Sequence, residues 1–409
     1  MESKIVAGLL IFKLNMIQTV ALALVMYFIG NFIRHRVPMF MRLSIPAPVI
    51  GGLIFAGIST FLRTQGILGF ELDGTMQTAL MIMFFCTIGM GASLTLLKKG
   101  GMPLIIFFLL AVVLAIAQNA LGIFLAKLTG IDPLLGIISG AVTLMGGLGT
   151  GGAFGPLFEE WGVQGATTAA IACATFGMVA GSLMGGPFGE TLIKKYKIKT
   201  PKVDNVATDD SDGTAVLEEE GALSGQNVMQ TLGWIVFAMG VGSIISFYMT
   251  KAGITLPAYI GAMIAAAVIR NVGDFSKGYK IDGAALEVIS DISLAVYLTM
   301  AINGLKLWEL VNLAIPLLII LIGQIILMAL FCWLCVYLIM GRNYSAVHLS
   351  VGMVGFGMGA TPNALVNMAA LTEKYGPSPR ALMIVSLVGA FLIDFANALI
   401  ITGMAGMFR

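Results

Sequence analysis

"TLMGGLGTGGAFGPLFEE" (143–160) is the stretch on which the fold turns. Six of the twelve residues from Met145 to Pro156 are glycine, and the segments on either side are apolar. Glycine weakens a helix by about 1 kcal/mol per residue relative to alanine, so this segment makes a poor continuous helix. Irregular backbone at membrane depth is tolerated only where protein buries it or where it lines a wet cavity. The stretch therefore predicts a break in the chain that other parts of the molecule must enclose.

The surrounding sequence fits a bilayer. Of 409 residues, 58% are hydrophobic and 11% are charged, against about 25% charged in soluble domains. A net charge of +2 excludes a polyelectrolyte partner such as nucleic acid. Apolar stretches at 15–33, 45–63, 77–97, 102–128 and 165–188 are followed by others at 227–249, 256–271, 286–305, 313–340 and 381–405. A bilayer core needs about 20 such residues per helix, so the expectation is ten spans. Five lie on each side of the charged, aromatic-poor segment 194–226, which reads as a loop outside the membrane. The first run follows Lys13 but lacks a small-x-small cleavage site, and is read as a retained span.

Basic residues set the orientation. With the N-terminus outside, sixteen lysines and arginines fall in the cytoplasm, including Arg34, Lys98, Lys194 and Arg342, and seven fall outside. Both termini are then outside and the central loop is cytoplasmic. Five is odd, so the second half must cross the membrane upside down relative to the first. "IPAPVIGGLI" (45–54) is echoed by "LPAYIGAMI" (256–264), and "GMPLIIFFLL" (101–110) by "AIPLLIILIG" (314–323). "GLGTGGAFG" (147–155) is echoed by "GFGMGATPN" (355–363). The fold expectation is an all-α polytopic membrane protein with two inverted-topology repeats. They occupy 1–193 and 227–409, joined by the linker 194–226. Such repeats are a transporter architecture.

That topology makes 133–160 begin and end outside, and the counterpart near 345–372 begin and end in the cytoplasm. Each is expected to be a re-entrant hairpin, the two tips meeting near the midplane. Thr150 or Thr361 can cap the returning arm, and Pro362 follows where a missing N–H does no harm. Helix N-termini attract carboxylates, while free carbonyls suit a small hard cation. The tip residues Gly147, Gly149, Thr150 and Gly151 are substrate-binding candidates, with Gly357, Gly359, Thr361 and Asn363 opposite them. Asp394 and Asn397, three residues apart on one helix face, are candidate sodium ligands together with Gly146 and Gly355. "GMVAGSLMGG" (177–186) reads instead as close helix packing. Gln118, Asn119 and Gln324 read as polar contacts between spans, and Asp291 as interfacial.

Other chemistries have little support. Cys332 and Cys335 form a C-x-x-C inside an apolar run with no second pair, and His35 and His348 are far apart. His348 and Ser350 stand two apart, a spacing that turns them away from each other on a helix, so an intramembrane enzyme is not expected. A channel would carry rings of charge or a repeated pore motif.

Over essentially its whole length the chain resembles the bacterial sodium/glutamate symporters. The resemblance runs through "SIPAPVIGGL", "GGLGTG" and "INGLKLWEL" to "GFGMGATPNALVNMAALTEKYGPS" and "VGAFLIDFANALI". It implies a cytoplasmic-membrane homodimer in which sodium ions drive uptake of L-glutamate, with no other cofactor. It also implies opposed hairpins with tips at Gly146, Gly147, Gly149 and at Gly355, Gly357, Gly359, and elevator-type alternating access against a dimer scaffold. The long spans 102–128 and 313–340 are expected in that scaffold. Leu148 departs from the family pattern, which has histidine there. Without the resemblance, composition and spacing leave the substrate open to another di- or tricarboxylate.

Overall fold

The computed structural model describes residues 2–6, 9–201, 224–251, 258–276, 278–310 and 312–408. Most of the expected linker (202–223) and the start of the "LPAYIGAMI" echo (256–257) lie outside the described residues, as do the basic positions 202, 277 and 409.

Helix α1 (Met16–Arg36) opens on a reciprocal cap: Asn15 accepts from the Gln18 amide at 3.0 Å and Gln18 accepts from the Asn15 amide at 3.1 Å. It closes on Arg34, His35 and Arg36. A short α2 (Pro38–Arg42) leads to α3 (Ala47–Thr64), which starts behind Pro46. Helices α4 (Thr75–Gly91) and α5 (Leu94–Thr129) follow, and α5 bends at Gly101, whose φ of 63° is closed to most side chains. The first half ends with α6 (Pro133–Ile137), α7 (Gly147–Glu160) and α8 (Ala166–Tyr196).

The second half runs α9 (Gly225–Lys251), α10 (Ala258–Ser276), α11 (Gly283–Asn303) and α12 (Ala314–Phe331). It ends with α13 (Tyr344–Gly357), α14 (Thr361–Tyr375), α15 (Pro379–Leu387) and α16 (Ile393–Ala405). Wider π-type turns follow α6 at Ile138–Val142, extend α12 through Cys332–Tyr337, and join α15 to α16 through Val388–Leu392.

Among the described residues, seven helices are long and apolar enough to cross a membrane: α1, α3, α5, α8, α9, α11, and α12 with its extension. The other three expected spans coincide with helices that miss this test. Helix α4 has 17 residues, α10 carries Arg270 and Asp274, and α15–α16 is divided by its π turn.

The all-α expectation needs one correction. Strands β1 (Glu2–Val6), β2 (Leu9–Leu14) and β3 (Leu68–Leu72) form a small sheet. The first two strands are antiparallel and β3 joins β2 in parallel, pairing Phe12 with Phe70. That parallel partner lies beyond α1, α2 and α3, so no local turn signal announces it.

The helices sort into two sets by packing. Helices α1, α3, α4, α9, α10 and α11, from the first part of each half, pack on one another as an outer set. Helices α5 to α8 and α12 to α16, from the second part of each half, form the other set. Helices α5 and α12, expected with a dimer scaffold, pack against each other and against the broken segments described below. Their buried glutamines explain this, since each finds its partner inside that second set.

The glycines of "GMVAGSLMGG" do the packing expected of them. A methyl group on Gly177 would meet the Met358 carbonyl at 2.5 Å, and one on Gly185 the Asn367 amide at 2.2 Å. With Gly181 and Gly189 they form an i, i+4 stripe along α8 on which α13 and α14 sit.

Candidate functional site

Both glycine-rich stretches are breaks between helices. Asp132 caps α6, accepting from the Leu134 amide at 2.8 Å. The backbone leaves helical geometry at Gly140 (φ −99°, ψ −133°) and α7 starts at Gly147. In the second half, Asn343 caps α13 through the Ala346 amide at 2.9 Å, α13 stops at Gly357, and α14 starts at Thr361.

Helices α13 and α14 are antiparallel. The Tyr344 hydroxyl donates to the Gly376 carbonyl at 2.5 Å, His348 Nε2 lies 3.2 Å from Thr372 Oγ1, and Gly352 lies against Met368. Nearest the break, a methyl on Gly355 would sit 2.3 Å from Ala364 Cα. The first break is looser, with Thr143 packing on Gly151.

The two breaks touch. Gly147 has a φ of 61°, and a Cβ there would lie 2.7 Å from the Gly359 carbonyl oxygen. Helix α8 passes beneath both, because Gly177 contacts Leu144 of one and Met358 of the other.

Neither α7 nor α14 begins with a side-chain cap, which corrects the capping roles expected of Thr150 and Thr361. The cap positions are Gly146 and Ala360. Ala360 is fully extended (φ −165°, ψ 166°), and this places Thr361 inside the helix with Pro362 next. Thr150 lies a full turn inside α7, its amide bonded to the Gly146 carbonyl at 3.2 Å. The consequence is favourable to an anion, since no side-chain oxygen competes for the first N–H groups of two helices of 14 and 15 residues.

The remaining candidates group around this contact. The Gly149 carbonyl accepts from the Tyr297 hydroxyl at 2.5 Å, and the Gly357 carbonyl accepts from Gln118 Nε2 at 2.7 Å. Gly359 lies against Asn363, whose Nδ2 donates to the Met178 carbonyl at 2.9 Å. Asn363 Oδ1 is buried and has no hydrogen-bond partner among the described residues. Thr361 is half-buried beside Gly389, and Gly355 is held by its close approach to Ala364.

Asn397 is buried. Its Nδ2 donates to the Ala141 carbonyl at 2.8 Å, in the first break, while its Oδ1 has no partner among the described residues. Asp394, one turn earlier on α16, is half-buried and makes no hydrogen bond or ion pair among the described residues. Asn119 completes the bracket, accepting from the Ala141 amide at 2.8 Å. An amide oxygen and a carboxylate left without donors suit an alkali cation. Among the described residues no three His, Cys, Asp or Glu groups come together to hold a metal.

Several residues near the breaks were missed in reading the sequence. Tyr297 and Phe84, 5.9 Å apart between ring centroids, cover α7 from the outer helices. Asn367 donates to the Gly181 carbonyl at 3.0 Å, tying α14 to α8. A lone tyrosine within an apolar span was the available hint, since a buried hydroxyl needs an acceptor. His348 and Ser350 make separate bonds, to Thr372 and to the Ala346 carbonyl, and not to each other.

Comparison with known proteins finds relatives over most of the chain. A family profile described as "Sodium/glutamate symporter" matches residues 12–377. The sodium/glutamate symporter of Escherichia coli (strain K12) is 38% identical over 396 residues, covering 95% of this chain and 97% of that protein. The one from Haemophilus influenzae (strain ATCC 51907 / DSM 11121 / KW20 / Rd) is 36% identical over 387 residues, covering 93% and 95%. Among solved structures, the sodium proton antiporter MjNhaP1 from Methanocaldococcus jannaschii aligns over 96% of this chain and 98% of its own, with a TM-score of 0.44 and 14% identity.

Proposed function

Because this chain belongs to the sodium/glutamate symporter family, a family of membrane transporters and not enzymes, we propose that it binds L-glutamate where its two broken helix pairs meet and carries it inward with sodium. The observation that carries the reading is the contact of Gly147 with Gly359, which brings together two long helices that both start without a side-chain cap. Their first N–H groups offer carboxylates fixed donors at no reorganisation cost. Gly147, Gly149, Thr150 and Gly151 line one side and Gly357, Gly359, Thr361 and Asn363 the other. Sodium ions take the Asp394 carboxylate, the Asn397 amide oxygen and the carbonyls of Gly146 and Gly355.

On this reading 133–160 and 345–372 are re-entrant hairpins of two inverted repeats, 1–193 and 227–409. The matching helix order of the two halves supports it. The protein sits in the cytoplasmic membrane as a homodimer, both termini outside and the central loop inside. Alternating access is elevator-type, the set containing both breaks moving against the outer set. The sorting of each half into an early outer part and a late inner part supports that division.

The test is uptake of labelled glutamate into proteoliposomes under an inward sodium gradient, with unlabelled glutamate, aspartate and citrate as competitors. Glutamate uptake that requires sodium and is blocked by glutamate far below the citrate concentration is expected. Uptake of citrate in preference would move the assignment to another carboxylate. Thr361→Ala is expected to raise KM for glutamate at least several-fold, and a wild-type KM would take Thr361 out of the site.

A further inference from the structure

The two returning arms, α7 and α14, are treated differently by the rest of the molecule. Every residue of α7 from Gly147 to Gly155 is buried, whereas Pro362, Leu365, Val366, Ala369 and Ala370 of α14 are exposed. One side of α7 packs on α8, where Gly155 lies against Thr167 and Gly151 against Ala170, and the other side is covered by the outer set. Tyr297 of α11 is fully buried and donates its hydroxyl to the Gly149 carbonyl at 2.5 Å. Phe84 of α4 would lie 2.9 Å from a methyl group on Gly149, and Tyr297 3.2 Å from one on Gly152. Tyr259 of α10 meets Phe154 edge to face, with 5.8 Å between centroids.

Tyr297 thus makes a hydrogen bond from one helix set to the first turn of a broken helix in the other. A carbonyl in the first turn of a helix is already acceptor to an amide one turn on, so Tyr297 supplies a second bond that the fold of α7 does not need. Such a bond stabilises one relative position of the two sets and must break when they slide.

We propose that Tyr297 is a positioning residue, a latch that holds α7 against the outer helices in the conformation seen here, and that each transport cycle breaks its bond to Gly149 as α14 takes over the contact with the outer set. This rests on the reading of α7 and α14 as the two arms that enclose the substrate.

The test uses a reporter thiol that needs no substrate. In a background with Cys86, Cys173, Cys332 and Cys335 replaced by alanine, Val366→Cys is placed on the exposed face of α14, on the same helix face as Ala370 and Glu373. Labelling by a water-soluble maleimide is followed in proteoliposomes made leaky to the reagent. The reporter thiol is expected to label readily in the parent. Adding Tyr297→Phe, which keeps the ring and removes the hydroxyl, is expected to slow labelling by up to about 5-fold, because loss of a hydrogen bond of about 1 kcal/mol changes the equilibrium constant between the two positions by that factor. Unchanged labelling in a folded Tyr297→Phe protein overturns the latch, and so does a parent whose reporter thiol never labels. As a second arm, Gly152→Cys with Tyr297→Cys is cross-linked by mercury. With Val366 left unsubstituted so that no third thiol takes the metal, transport that stops on cross-linking and returns when excess dithiol strips the mercury supports the latch, and transport that continues while bridged overturns it. Failure of glutamate uptake in the parent protein would count against the proposed substrate, whereas the labelling arm reports on the latch alone.

Discussion

Gly355 and Gly57 both lie inside helices, yet a methyl group means opposite things at the two positions. At Gly355 it would come within 2.3 Å of Ala364 Cα and 2.4 Å of Ala364 N, so α13 and α14 must separate. At Gly57 it would meet nothing within 4 Å, and alanine there restricts the unfolded chain at a gain of about 0.4–1 kcal/mol. Thermal unfolding in detergent should therefore fall for Gly355→Ala and hold or rise for Gly57→Ala. Equal midpoints would show that α13 and α14 can part without loss. Asn397 allows a finer separation of packing from ion binding. Its amide bonds the Ala141 carbonyl, but that carbonyl also accepts from the Gly146 amide at 3.0 Å, so Asn397→Ala orphans no backbone group. The sodium concentration for half-maximal uptake should rise several-fold while the thermal midpoint moves little. Asp394→Asn, which keeps shape and removes charge, should abolish sodium-stimulated uptake. A sodium titration identical to wild type in both variants would place the ion elsewhere.

Between elements, two buried glutamines carry the junction of the long helices with the second break. Gln324 of α12 donates to the Gln118 carbonyl of α5 at 2.7 Å, and Gln118 donates in turn to the Gly357 carbonyl at the end of α13 at 2.7 Å. Gln118→Leu leaves a helix-terminal carbonyl buried without that donor, at a cost of about 1–3 kcal/mol. A lowered unfolding midpoint is the expected outcome, and an unchanged one would mean that Gly357 finds another donor. This junction marks the limit of what the residues alone disclosed. Apolar runs bounded by proline, glycine and charge were enough to locate the helices, because period and length are local properties. The two breaks were legible for the same reason, through glycine's weak helix propensity. Long-range pairing was not. Tyr297 and Gly149 are 148 residues apart, and the parallel partners β2 and β3 are separated by α1, α2 and α3. The cap of α14 was misplaced by one residue, since nothing in "GATPN" marks Ala360 as the extended position ahead of Thr361. Polar pairing of Gln118 and Gln324 between spans was readable from their burial cost, but its acceptors were not.

At the scale of the whole molecule the open quantity is charge. Arg270, inside α10, is paired with Asp274 at 3.1 Å, and the glycine-rich breaks themselves contain no lysine or arginine. The net negative charge of glutamate must then be balanced by backbone dipoles and by the ions that travel with it. One sodium per glutamate would make the loaded site neutral and the cycle blind to voltage. Two would move one net positive charge inward, and each such charge gains about 2.3 kcal/mol per 100 mV. A tenfold sodium gradient adds about 1.4 kcal/mol per ion. An inside-negative potential of about 100 mV would then raise the accumulation ratio about 50-fold over the gradient alone. The family's name fixes sodium and glutamate as the coupled pair but not their ratio, and the proposed site offers oxygens for more than one ion. In that proposal the Asp394–Asn397 pair and the carbonyls at the two tips are separate groups of oxygens on different helices. Valinomycin with an outward potassium gradient imposes that voltage on proteoliposomes. Initial uptake and final accumulation should both rise under it, and Asp394→Asn should lose the response with the sodium dependence. Uptake indifferent to valinomycin would require one sodium per glutamate, and the second group of oxygens would have no ion to hold.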